Sequence, residues 1–109
     1  MFENAFTCQP VCGPMRACLQ SGVYATQIGC YRNDIALPTD RKTLANYLSE
    51  AGYDTAYIGK WHLASDKEHD LKTKATPKER RGGYDYWRAA DVLEFTSHGY
   101  NGYIFDGDG

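Results

Sequence analysis

The sequence predicts an α/β fold built on part of a mostly parallel sheet flanked by helices. Two observations predict it. Residues 41–51 place Leu44, Tyr47, Leu48 and Ala51 at i, i+3, i+4 and i+7, the spacing of one helix face, and Gly52 follows where a left-handed stop belongs. Tyr53-Asp54-Thr55-Ala56-Tyr57-Ile58-Gly59 is then rich in strand formers. Helix, glycine, strand is the second half of a βαβ unit, which sets its strands in parallel. Function in such sheets gathers at the carboxyl ends of the strands, where Gly59-Lys60-Trp61-His62-Leu63 falls.

The other elements follow in order. Residues 2–8 read as a short extended stretch. Pro14 lacks a backbone N–H and has a preset φ, so it suits the first turn of a helix over 14–21, with Gly22 as its stop. Cys12 then sits at the helix mouth, among unpaired N–H groups and the positive end of the dipole, with Arg16 one turn in on the same side. Val23-Tyr24-Ala25-Thr26 is open between a helical turn and an extended piece. Gly29–Asp34 reads as a polar loop, and Ile35-Ala36-Leu37-Pro38 leads into the helix of 41–51, with Thr39 or Asp40 as its cap. Residues 64–83 are polar, mixed in charge and expected to be a solvated loop. Gly83-Tyr84-Asp85-Tyr86-Trp87 begins an aromatic stretch, Ala89–Thr96 is mildly helical, and Tyr100–Gly109 alternates aromatic and polar residues.

Composition narrows the function. At 109 residues there is one domain's worth of chain at most. A net charge of −2 offers no basic face for nucleic acid or an anionic membrane surface. No apolar run reaches the length of a membrane span, and no basic-then-apolar signal segment follows Met1. Cys8, Cys12, Cys18 and Cys30 include no C-x-x-C pair and match no common zinc or iron–sulfur spacing. Cys8, Cys18 and Cys30 are expected to be small, buried, free thiols.

Two clusters carry chemistry: Cys12 with Arg16, and Lys60 with His62. Lys60 and His62 are two residues apart and would point the same way if the strand continued. Together they offer a nucleophile position, two fixed cations and an imidazole. That set suits attack on a tetrahedral anionic ester, with cations on the non-bridging oxygens and the imidazole handling a proton. Taken singly, each has a plainer reading: a core thiol, a surface cation, a strand end with a packed histidine.

Cys12-x-Pro14-x-Arg16 followed by Ser21-Gly22 resembles the nucleophile motif of the formylglycine-dependent sulfatases, members of the alkaline-phosphatase-like superfamily. Gly52-Tyr53-Asp54-Thr55 with Gly59-Lys60-Trp61-His62-Leu63 is similar to the second motif of that family, and Gly83-Tyr84-Asp85 to a looser third. The resemblance implies a partial sulfatase catalytic domain over 1–109, with the nucleophile motif at 12–22, the second active-site motif at 52–63 and a loop at 64–83. It implies that a separate maturation enzyme oxidises Cys12 to formylglycine, whose hydrate attacks sulfur in a sulfate-ester small molecule or sulfated glycan. The aldehyde hydrate gives the intermediate an exit that a serine ester lacks. In the same reading Arg16 holds the diol, Lys60 bridges sulfate and diol, and His62 assists the collapse. A divalent cation, expected to be Ca2+, is bound in part by the modified Cys12, with its other ligands outside this chain.

The departures are informative. Met15 stands where the family has a small residue. An Asp-Asp pair before the cysteine motif and an Asp-Asn or Asp-His pair far downstream, both metal-binding in the family, have no counterpart here. Thr96-Ser97-His98-Gly99 lacks the aspartate of the downstream motif, and Asp106 and Asp108 read as an exposed turn. The expectation is therefore an N-terminal sulfatase segment, inactive and marginally stable in isolation. Rival readings are a phosphonate or phosphodiester hydrolase of the same superfamily, a non-catalytic remnant, and a thiol-based binding module. Exported relatives and four free cysteines leave the compartment open.

Overall fold

Helix α1 spans Cys12–Ser21 and α2 spans Leu44–Glu50; strands follow as β1 (Ala56–Lys60), β2 (Tyr86–Ala90) and β3 (Phe105–Asp106). The structure is a computed structural model and describes residues 1–108. Gly109, the last residue of the alternating C-terminal stretch, lies outside the described residues. The sheet order is β1-β2-β3. β1 and β2 are parallel, in register from Ala56 opposite Tyr86 to Lys60 opposite Ala90, so the expected parallel setting is present. No strand precedes α2 among the described residues, however, and the pair forms across the 61–85 connection instead of across a βαβ helix. β3 joins β2 antiparallel through Arg88–Asp106 and Ala89–Phe105, making the sheet mixed.

α1 ends as expected on Gly22, left-handed at φ 69°, with its N–H donating to the Cys18 carbonyl. It begins earlier than predicted, at Cys12, because Pro14 is tolerated throughout a first turn and not at one position alone. Its N-terminus is not open. The Gly13 N–H donates to Asn33 Oδ1 at 2.9 Å, so a loop side chain takes a donor that the sequence reading left for an anion.

α2 is shorter than 41–51 and is capped by Thr43, not by Thr39 or Asp40. The Thr43 N–H donates to Asn46 Oδ1 at 2.9 Å, and the Thr43 side chain receives the Asn46 N–H in a capping box. Its predicted apolar face is not buried: Leu44, Tyr47 and Leu48 are exposed, and Ala45 alone is buried. The amphipathic pattern is present, but what packs on it is Ala45 and Thr43.

Residues 2–8 form no strand, and Phe2 and Phe6 are almost wholly exposed. Residues 25–29 are turns rather than helix or strand. Ala89 and Ala90 lie in β2, and only Leu93–Phe95 makes a single 3-10 turn, so the helical reading of 89–96 fails. Both alanines are fully buried in the sheet, and tertiary packing overrides their helix propensity. The 64–83 loop is solvated only in part. Ala64, Ser65 and Thr76 are buried, and a 3-10 turn forms at Lys78–Arg80. Arg80 holds the loop closed by donating to Asp66 Oδ2 at 2.8 Å and to the Ala64 carbonyl at 2.7 Å, which keeps the Asp66 carboxyl well below the usual carboxylate range.

The core lies between α1 and the inner face of the sheet. It comprises Ala17, Ile28, Cys30, Leu37, Trp61, Leu63, Ala64, Trp87 and Ala89. Tyr57, Tyr84, Trp61 and Trp87 form its aromatic centre: Tyr57 stacks on Trp87 at 5.3 Å and meets Trp61 edge-on at 4.9 Å. Of the cysteines read as buried thiols, Cys30 is buried, Cys18 is half-buried and Cys8 is exposed; all four are free.

Candidate active site

α1 brings Arg16 to the carboxyl end of β1, where Lys60 is the last strand residue. The junction is direct. Arg16 Nη1 donates to the Lys60 carbonyl at 2.7 Å and to the Tyr57 hydroxyl at 3.2 Å, and Tyr57 also donates to that carbonyl. The first and second motifs are therefore joined through main chain, by a charge-assisted bond. Arg16 Nε is buried and has no hydrogen-bond partner among the described residues. Cys12 is half-buried at the start of α1 and lines a cavity of about 250 Å³ with Thr7, Gln9, Pro10, Val11 and Met15.

Lys60 is mostly covered, and its ammonium pairs with the more exposed carboxylate of Glu94. That pairing holds the Glu94 carboxyl below its ordinary value. His62 does not continue the strand as the sequence reading supposed. β1 ends at Lys60, and His62 adopts φ 59°, a conformation uncommon outside glycine. The ring is buried, and Nδ1 has no partner among the described residues. Burial pushes the His62 imidazole below its usual pKa, with the Lys60 charge adding to the effect; Asp91, Glu94 and Asp34 pull the other way. His62 is therefore a neutral imidazole with an open ring nitrogen at neutral pH.

Sequence reasoning missed the side-chain bonds that hold the sheet at both ends. Thr55 and Asp85 clasp the strand starts: Thr55 N–H and hydroxyl donate to Asp85 Oδ2 at 3.1 and 2.9 Å, and Asp85 N–H returns to the Thr55 hydroxyl. The third motif also docks α1, since the Tyr84 hydroxyl donates to Gln20 Oε1 at 2.8 Å. Both Thr55 and Asp85 stand inside the motifs, which was the available signal. Asp91 and Glu94 lie outside them and gave none.

No group of three or more His, Cys, Asp and Glu side chains among the described residues is placed to hold a metal ion. The residues present do not by themselves fit the expected Ca2+. His98 is exposed, and Asp106 Oδ1 accepts the Asp108 N–H at 3.0 Å in a local turn, in keeping with the turn reading. No helix among the described residues is long and apolar enough to cross a membrane.

A mixed three-stranded sheet with two helices, and Arg16, Lys60 and His62 gathered past the end of β1, agrees with the incomplete alkaline-phosphatase-like α/β fold of its solved structural neighbours. The Sulfatase family model matches residues 1–107, and the chain belongs to the sulfatase family. It is 43% identical over 100 residues to an ulvan-active sulfatase of Formosa agariphila, covering 92% of this chain and 18% of that protein. It is 33% identical over 103 residues to an N-acetylglucosamine-6-O-sulfatase of Bacteroides thetaiotaomicron, covering 91% and 18%. A Bacteroides thetaiotaomicron structure solved in the context of glycosaminoglycan metabolism superposes with a TM-score of 0.76 at 28% identity, over 98% of this chain and 25% of that one. The chain thus spans less than a fifth of the length of these curated relatives.

Proposed function

We propose that this chain carries the nucleophile side of a sulfuric ester hydrolase site, acting on sulfate esters of the glycan class. The bond from Arg16 to the Lys60 carbonyl carries the reading, because it brings the two motifs to one place with a buried, open imidazole two residues on. The names of two relatives, an ulvan-active sulfatase and an N-acetylglucosamine-6-O-sulfatase, support the glycan class.

Cys12, once converted to formylglycine by a maturation enzyme, supplies the oxygen nucleophile as the aldehyde hydrate. Arg16 is the cation nearest the nucleophile along α1 and orients the hydrated side chain. Lys60 neutralises the non-bridging oxygens of the bound sulfate; the exposed Glu94 carboxylate is displaced from its ammonium when the sulfate arrives. The hydrate oxygen bonds to sulfur as the ester S–O bond breaks and the alcohol leaves with a proton. Neutral His62 then accepts the remaining hydroxyl proton of the sulfated hydrate as its C–O bond to sulfate breaks and the aldehyde re-forms. The modified Cys12 would supply one ligand to Ca2+, whose other ligands would come from outside residues 1–108.

Because residues 1–108 contain no metal-binding cluster, the isolated chain is expected to turn over sulfate esters little or not at all. Turnover of an aryl sulfate and an aryl phosphate, with and without Ca2+ and a co-expressed maturation enzyme, is the test. Clear sulfatase activity of the 109-residue chain overturns the inactivity, and phosphate turnover without sulfate turnover overturns the choice of sulfur.

A further inference from the structure

We propose that Asp91 is a positioning residue for His62, fixing from the end of β2 the turn that carries the imidazole. Asp91 is fully buried. Its Oδ1 accepts the N–H groups of Leu63 at 3.0 Å and Ala64 at 2.9 Å, and its Oδ2 accepts that of Ser65 at 2.9 Å. Three consecutive amides converging on one point form an anion-binding concavity, and here a carboxylate from the chain itself fills it. A buried carboxylate is tolerated only when it is multiply hydrogen-bonded, and a neutral side chain would fill the space without that demand.

The grip begins one residue after His62. On the other side of His62, the Trp61 N–H donates to the Ala90 carbonyl at 2.9 Å. The adjacent residues Ala90 and Asp91 therefore hold both flanks of His62 and keep it at φ 59°. Three residues further on, Glu94 meets the Lys60 ammonium, so one short segment addresses both members of the second cluster. The charged groups acting on His62 are Lys60, Asp91, Glu94 and Asp34. The inference rests on the reading that Lys60 and His62 handle the sulfate.

NMR of the 109-residue chain tests it. In the wild type, the Leu63, Ala64 and Ser65 amides exchange more slowly than the exposed Lys67 amide. Three amides that exchange as fast as that of Lys67 overturn the proposal, whether or not any variant folds. In Asp91→Asn the amide nitrogen cannot accept, so at least one of the three amides exchanges about tenfold faster or more. The His62 pKa falls further as the neighbouring charge is lost, a readout that a purely structural clamp leaves unmoved. A folded Asp91→Asn chain with an unmoved His62 pKa also overturns it. Titration of the wild type with inorganic sulfate separates the two claims. Absence of shifts at Lys60 and His62 removes the sulfate reading and leaves the positioning intact.

Discussion

His62 couples the stability of this fold to pH. Its folded pKa lies below the ordinary imidazole value of 6.5, chiefly through burial, so the unfolded chain binds the proton more readily than the folded one. The sign follows: stability is full above 6.5 and declines as pH falls from there toward the lower folded value. Urea unfolding midpoints measured across that window are expected to fall with pH in the wild type, and less steeply in His62→Gln. At this scale the sequence was legible where chemistry demands a residue type at a fixed offset. Cys12 and Arg16 lie one helical turn apart, and Lys60 closes a strand with His62 two residues beyond it. It was not legible where the partner is chosen by approach in space. Glu94 and Asp91 follow β2, more than thirty and nearly thirty residues from the groups they hold, and nothing local distinguishes them from other acidic residues. Nor did it foretell that Asn33 takes the Gly13 N–H.

The elements show the same division. The Gly52 stop and the end of α1 at Gly22 are local turn chemistry, and the sequence displays them. The burial of α2 is not local. Its apolar stripe is exposed and Ala45 packs instead, so Leu44→Gln is expected to change stability by less than about 0.5 kcal/mol, while Ala45→Leu overpacks the site and costs about 1–3 kcal/mol. Differential scanning calorimetry of the pair checks the ordering. Gly83 ties the third motif to the α2 cap. At φ 81°, with an added Cβ 2.2 Å from Asn46 Nδ2, it leaves no room for a side chain beside the residue that caps Thr43. Gly83→Ala is expected to destabilise by about 1–3 kcal/mol through backbone strain and cap disruption, read as a lowered denaturant midpoint.

For the whole molecule, the decisive feature is what remains uncovered. Ala56, Ile58, Tyr86 and Arg88 share the outer face of the sheet and are all exposed, and the outer edge of β1 has no strand partner among the described residues. An exposed apolar face beside an open edge favours pairing between chains. Ile58→Lys is expected to reduce concentration-dependent self-association in sedimentation velocity without lowering the thermal midpoint, because Ile58 is 69% exposed. The sulfatase relatives are several times longer, and on the proposed reading this chain supplies the nucleophile position, two cations and an imidazole. That account turns on Cys12. Intact-mass and peptide-mass analysis of the chain co-expressed with a formylglycine-generating enzyme tests it most directly. The predicted result is loss of sulfur and two hydrogens with gain of one oxygen, confined to the peptide containing Cys12 and absent in Cys12→Ala. An unmodified Cys12 thiol after co-expression would contradict it.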